Sequence, residues 1–163
     1  MVDLHTHILP GIDDGAKTME DALQMARMAA ADGVTTLVAT PHAYWEGAVN
    51  GDPVITSKIA ELTTAMEAEG IVLRIVPGAE VPIEKNLLSK LERNSLWTYA
   101  GQGVYLLLEP PWGPIPNYSD DLVGELMDRG ITPIIAHPER SPDLQAHPVL
   151  LDGFISLGAL TQV

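Results

Sequence analysis

The sequence contains no cysteine. That removes a disulfide framework, a thiolate zinc site and a cysteine nucleophile, and with them the chemistry of cysteine-dependent phosphatases. Cationic side chains are also few: 9 Lys and Arg stand against 22 Asp and Glu, for a net charge of −13. Such a chain should repel nucleic acid and anionic membranes. No apolar run approaches the roughly 18 to 20 residues that span a bilayer, and the basic and apolar regions of a secretory leader are lacking, so a cytoplasmic protein without membrane insertion is expected. Low-complexity tracts and linkers are missing as well. With 46% hydrophobic and 19% charged residues, the chain reads as one folded domain over residues 1–163.

One phrase recurs: a helical pattern, a glycine, a β-branched run, then a histidine or glutamate. It appears as "ADGVTTLVATPH", "AEGIVLRIVPGAE" and "DRGITPIIAHPE", with a shorter relative in "GQGVYLLLEP". Thr18 and Asp21 form a capping box ahead of the apolar face Met19, Ala22, Leu23, Ala26 and Ala30, and Gly33 ends that helix. A second helix carries Ile55, Ile59, Leu62 and Met66 and stops at Gly70. A third runs from about Tyr118 to Gly130, and a shorter one covers Glu84 to Glu92. Strands are expected at Val2 to Leu4, Val34 to Ala39, Val72 to Val76, Val104 to Leu108 and Thr132 to Ala136, with a sixth at Ala159 to Val163. These are continuous apolar runs, which indicates a parallel sheet covered by helices on both faces. An open doubly wound sheet and a TIM-like barrel both fit that pattern. Functional side chains gathered from many strand ends favour the barrel, although so few strands cannot close an eight-stranded one.

The strand ends lead to His5 and His7, His42, Glu80, Glu109 and His137. Residues i and i+2 of a strand share a side, so His5 and His7 can bind one cation together. Imidazole and carboxylate suit manganese, iron or zinc, and a carboxylate can bridge two ions. Taken singly, each residue has a plainer reading. His-x-His is a weak signal, His42 and His137 fit proline-flanked loops, and Glu80 or Glu109 could pair with Arg74 or Arg140. Independent accidents at five strand ends are far less economical than one shared site, and bound cations would offset roughly +4 to +6 of the negative charge. Asp13 and Asp14 are followed by Gly15, a sequence equally suited to a turn or to ligation. Arg140 reads either as a surface charge or as a phosphate clamp. Tyr44, Trp45 and Trp112 lie in loops that follow ligand strands, where substrate would be gripped, whereas His147 falls off the pattern and reads as a surface residue.

With those residues placed, "DLHTHILPGIDDGAKTMEDALQMA", "ATPH", "PGAEV", "LLLEP" and "IIAHPER" resemble the polymerase and histidinol phosphatase (PHP) superfamily. Within it they are most similar to the bacterial manganese-dependent tyrosine phosphatases of capsule and exopolysaccharide clusters. The resemblance implies an α/β fold, a distorted and incomplete TIM-like barrel of the PHP type, and two or three divalent metal ions, manganese first, with iron or zinc compatible. Carried over by position, His5, His7 and Glu80 would hold one metal, Glu80, Glu109 and His137 a second, and Asp14 with His42 a third, while Arg140 would meet the phosphate. Members of the family continue past "GALTQV" with further β/α units and a late Asp-x-His motif that serves the first and third metals. The first two positions are therefore expected to be occupied, and the third to be weak or dependent on a partner chain.

The expected reaction is metal-dependent hydrolysis of phosphate monoesters, phosphotyrosine or another aryl phosphate first, by a metal-bridging hydroxide. Arg140 would neutralise charge on the phosphate and His42 is a candidate for protonating the leaving group. A promiscuous phosphoesterase acting on diesters or triesters, and a noncatalytic remnant of the fold, are the competing readings. The expected partners are a phosphorylated substrate such as a tyrosine-phosphorylated protein tail, and a second copy of the chain in a homodimer that covers the open barrel.

Overall fold

In the computed structural model, which describes residues 1–163, the chain begins with β1 (Val2–Thr6), α1 (Met19–Ala31), β2 (Thr36–Ala39), a hairpin of β3 (Tyr44–Trp45) and β4 (Ala48–Val49), and α2 (Asp52–Ala68). It continues through β5 (Arg74–Pro77), β6 (Glu80–Pro82), α3 (Leu87–Leu91), β7 (Tyr105–Glu109), α4 (Ser119–Asp128), β8 (Thr132–Ala136), α5 (Pro142–Ala146), α6 (Pro148–Ser156) and β9 (Leu160–Gln162). The result is a mixed α/β architecture with two parallel sheets, ordered β1-β2-β5 and β6-β7-β8-β9. A parallel bridge between His42 and Glu80 joins the two.

Of the continuous apolar runs, β2, β7 and β8 are strands buried on both faces, as their composition predicts, whereas β1 and β5 stay partly exposed. On β7, Leu106 and Leu108 belong to the large core cluster beneath the helices, while Leu107 joins a smaller cluster with Val38, Ile134, Ala136 and Tyr99. Alternation with period 2 divides one strand between two cores. All three leucines are fully buried, worth about 1.5–3 kcal/mol each by transfer. The helices close the outer layer. Thr18 caps α1 through its side chain, which accepts from Asp21 N at 3.2 Å, while Asp21 Oδ2 accepts from Thr18 N at 2.9 Å. Ala22, Leu23 and Ala26 then face the core. In α2, Ile55, Leu62 and Met66 do the same, and Gly70 follows the helix at φ +68°, a conformation that costs glycine little.

Several elements depart from the sequence reading. The strand expected at Val72 to Val76 is β5, shifted to Arg74–Pro77. Glu80 does not end that strand but opens β6 after Gly78 and Ala79. A Cβ on Gly78 would sit 2.8 Å from Val38 Cγ1 and 3.2 Å from Tyr99 Cδ1, so the chain turns where only glycine fits. The short helix expected over Glu84 to Glu92 is reduced to Leu87–Leu91. The hairpin and the helices α5 and α6, both begun by proline, have no counterpart in the sequence reading; proline at a first helical turn is read from sequence as a break when no longer periodic run follows it. No helix is long and apolar enough to cross a membrane. Strands β1 and β9 are the outer strands of their sheets, and Val2, Leu4 and Leu160 on them are substantially exposed.

Candidate metal centre

Parallel strands deliver their C-terminal ends to one side of a sheet, and here that side carries the polar residues. His5 lies on β1 and His7 just beyond it. His42 follows β2 by three residues, Glu109 is the last residue of β7, and His137 follows β8. They line a cavity of about 760 Å³ with Glu80, Asp14 and Arg140. Trp45 and Trp112 lie at the same cavity, and Trp112 is 69% exposed.

Glu80 is the centre of the arrangement. Its side chain is only 1% exposed, and four imidazoles converge on it. Oε1 lies 2.6 Å from His137 Nε2 and 3.4 Å from His5 Nε2, and Oε2 lies 3.2 Å from both His7 Nε2 and His42 Nδ1. The two Nε2 atoms of His5 and His7 are themselves 3.2 Å apart, as the i, i+2 spacing requires. Three overlapping sets of donors are close enough to share an ion: His5, His7 and Glu80; His42, Glu80 and Glu109; and His7, Asp14 and His42. The resemblance implies Glu80, Glu109 and His137 as one set, and Asp14 with His42 as another. The structure brings Asp14 and His42 together and also places His42 beside Glu80 and Glu109, with His42 Nδ1 3.5 Å from Glu109 Oε2 and Nε2 3.5 Å from Asp14 Oδ1. His137 bonds Glu80 from the other side.

The electrostatics are those of buried carboxylates surrounded by imidazoles. Burial would raise the Glu80 pKa, but hydrogen bonds from His5 and His7 and their charges hold it far below the usual range. For His7, burial works to lower the pKa, yet hydrogen bonds to Asp13 and Glu80 outweigh it and lift the group to about 10. His42 is raised chiefly by its hydrogen bond to Glu109. The site thus favours positive charge, and its carboxylates hold His7 and His42 toward their protonated forms. All donors are nitrogen or oxygen, which fits a borderline or hard divalent ion. His137 stands at φ +29°, ψ +57°, an unusual backbone for a residue with a side chain and a common sign of a functional position.

Two participants stand behind the ligands: Asp13, which the sequence left between a turn and ligation, and Gln162, which it did not single out. Asp13 accepts from His7 Nδ1 at 2.8 Å and Gln162 accepts from His5 Nδ1 at 2.7 Å. The only sequence signal for Asp13 was its place beside Asp14, and for Gln162 its place on the last strand. His147 is exposed and pairs with Asp143 at 3.0 Å, away from the cavity. Neither Arg74 nor Arg140 pairs with Glu80 or Glu109, whose charged neighbours are histidines.

Comparison with known proteins agrees along the whole chain. The chain is 35% identical over 164 residues to the tyrosine-protein phosphatase YwqE of Bacillus subtilis, and 34% identical over 163 residues to the putative tyrosine-protein phosphatase CapC of Staphylococcus aureus. In both cases the match covers 100% of this chain and 64% of the relative, so the chain spans less than two thirds of their length. It also superposes with a TM-score of 0.96 and 34% identity on a crystal structure from a study of YwqE and of CpsB from Streptococcus pneumoniae, described there as unique metal-dependent tyrosine phosphatases. That match covers 100% of this chain and 66% of the other. The family described as capsular polysaccharide synthesis, CpsB/CapC, matches residues 1–163, and the chain belongs to it.

Proposed function

We propose that the strand-end cluster is a divalent metal centre that hydrolyses phosphate monoesters, phosphotyrosine or another aryl phosphate first. The observation that carries this reading is Glu80: a buried carboxylate with an imidazole nitrogen at each of four points within 3.4 Å, open to a cavity that Arg140 also lines. His5, His7, Glu80, His42, Glu109, His137 and Asp14 are the residues that would hold two or three ions, with manganese the first choice. Such ions would lower the pKa of water and offset phosphate charge.

The chain's own residues account for the rest. Arg140 has no carboxylate partner, so its guanidinium is free to take two phosphate oxygens at once. In the metal-free protein His42 retains a proton to higher pH because of Glu109, so it could protonate a departing oxygen only in a state where it does not itself hold an ion. A phenol with a pKa near 10 needs that help far less than an alcohol does, which favours aryl esters. Trp45 lies flat on the His42 ring, 5.4 Å between centroids and 4° between planes, and leaves an aromatic wall beside the centre. At the same cavity, Trp112 is presented by the "EPPWGPIP" loop, which is stiffened by its prolines and tied where Ile115 N donates to Asp143 Oδ2 at 2.6 Å. Both indoles line the cavity, which suits an aromatic leaving group.

The resemblance to the PHP type has support in how the strands are joined. The His42–Glu80 bridge links one sheet to the other, and the His5–Gln162 side-chain contact brings β9 near β1 without strand pairing, which is compatible with an incomplete barrel. The test of function is hydrolysis of para-nitrophenyl phosphate by the manganese-loaded protein, with a phosphodiester and a phosphotriester in parallel. Monoester turnover that chelation abolishes is expected. Faster diester or triester turnover would favour the broader phosphoesterase, and none on any ester would remove the catalytic reading.

A further inference from the structure

We infer that Asp13 and Gln162 are positioning residues for the His5 and His7 pair. Each accepts the Nδ1 proton of one imidazole and so turns both Nε2 atoms toward the Glu80 carboxylate, the side on which a shared ion would be held. The inference rests on the reading of His5 and His7 as metal ligands.

Asp13 has a turn role available to it, since Oδ1 accepts from Gly15 N at 2.9 Å. Turn chemistry leaves the second oxygen unexplained. Oδ2 accepts from His7 Nδ1 at 2.8 Å and from the backbone N–H of His42 at 3.1 Å, so one carboxylate ties together the two segments that follow β1 and β2. Its side chain is fully buried and does not reach the cavity, whereas the neighbouring Asp14 is half exposed and lines it. The two adjacent aspartates therefore have separate tasks, Asp14 toward the ions and Asp13 behind a ligand. Gly15 is the condition for this packing. A Cβ there would fall 2.0 Å from His7 O and 2.3 Å from His7 Cβ, so the loop can press its carboxylate against His7 only with glycine.

Gln162 is the counterpart behind His5. Its Nε2 donates to Val163 O at 2.7 Å, which orients the amide so that Oε1 faces His5 Nδ1 at 2.7 Å. The two supports differ in charge. A carboxylate behind an imidazole makes the opposite nitrogen a stronger donor than a neutral amide does, and partners of this kind commonly govern metal affinity. His7 is thus the stronger donor of the pair, although sequence spacing makes the two equivalent.

The experiment compares manganese dissociation constants, by competition with a chelator, for the unaltered chain, Asp13→Asn and Gln162→Glu, together with ring nitrogen NMR shifts of the metal-free proteins. In Asp13→Asn the amide can keep one acceptor but must turn its NH2 toward a donor, so about a 10- to 100-fold loss of affinity is expected, with the His7 Nδ1 signature altered. Gln162→Glu places a charge behind His5 and should tighten binding by about tenfold. If Asp13→Asn fails to fold, Gln162→Glu alone decides. Affinity unchanged or weakened in Gln162→Glu, or unchanged within about twofold in a folded Asp13→Asn, overturns the inference. Absence of manganese binding by the unaltered chain overturns the metal-centre reading itself, a separate outcome.

Discussion

The two sheets contribute unlike chemistry. The β1-β2-β5 sheet and the segments that follow its strands bring three imidazoles, His5, His7 and His42, whereas the β6-β7-β8-β9 sheet brings the carboxylates Glu80 and Glu109 with one imidazole, His137. Each half has a partial partner of its own, His137 for Glu80 and Asp13 for His7, but three of the four imidazoles around Glu80 come from the other half. A buried Glu80 without imidazoles would be an uncompensated charge, and protonated imidazoles without Glu80 would repel one another. The halves meet at the His42–Glu80 bridge, which makes the centre a product of sheet association rather than of either sheet alone.

The harshest way to break that complementarity is to remove its shared member. Glu80→Ala should lower kcat/KM for para-nitrophenyl phosphate by about 10³-fold or more, comparable to losing a principal charge-stabilising contact of a closed site, and should abolish tight manganese binding. Wild-type turnover in that variant would mean that the two halves do not act through Glu80. Next in effect is Gly15→Ala, which acts on one side only. The added methyl meets His7 and displaces the loop, so a roughly 10²-fold loss of kcat/KM is expected from misplacement alone, with little change in the β6–β9 half. Hydrogen exchange that slows or quickens equally in both halves would contradict this.

A pH series sharpens the comparison by titrating it. In the metal-free protein His7 is raised to about 10, so its contribution to stability is complete below the ordinary histidine value of 6.5 and is lost as pH rises through about 10. Glu80 is lowered, so its contribution is complete above 4.5 and fades as pH falls toward its depressed value. The two describe one interaction seen from its partners and are not added. The chelated protein should therefore melt at a lower temperature at about pH 9.5 than at about pH 7, and manganese should narrow that gap, because the ion takes the place of the His7 proton. A gap unchanged by manganese would count against His7 as a ligand.

The smallest expected effect concerns the cavity wall. Trp112→Ala should reduce kcat/KM for an aryl phosphate by about 2- to 10-fold, the scale of one aromatic contact, and leave an alkyl phosphate unaffected. Equal losses on both substrates would place Trp112 outside substrate recognition.

How much of this the sequence disclosed follows from the range of each interaction. The ligand-bearing strand ends were legible because each is a local phrase, an apolar run closed by a donor, and five such phrases point to one face. The caps of α1 and α2 are likewise local, with Thr18, Asp21 and Gly70 acting within a few residues of themselves. That Glu80 opens a strand of its own was hidden, because the run ending at Val76 reads as closed by the glutamate that follows it, and the contacts of Gly78 with Val38 and Tyr99 show where the chain turns before β6. Gln162 was hidden for a like reason, since its partner His5 lies 157 residues away. Asp13 and Asp14 are alike by residue type, only the family resemblance picks out Asp14, and burial in the folded state gives the physical difference between them.

Metal content tests the central claim most directly. After purification in manganese and removal of free ion, the unaltered chain should retain stoichiometric manganese and Glu80→Ala only traces. Trace metal in both, or equal loading of both, would contradict a centre built around Glu80.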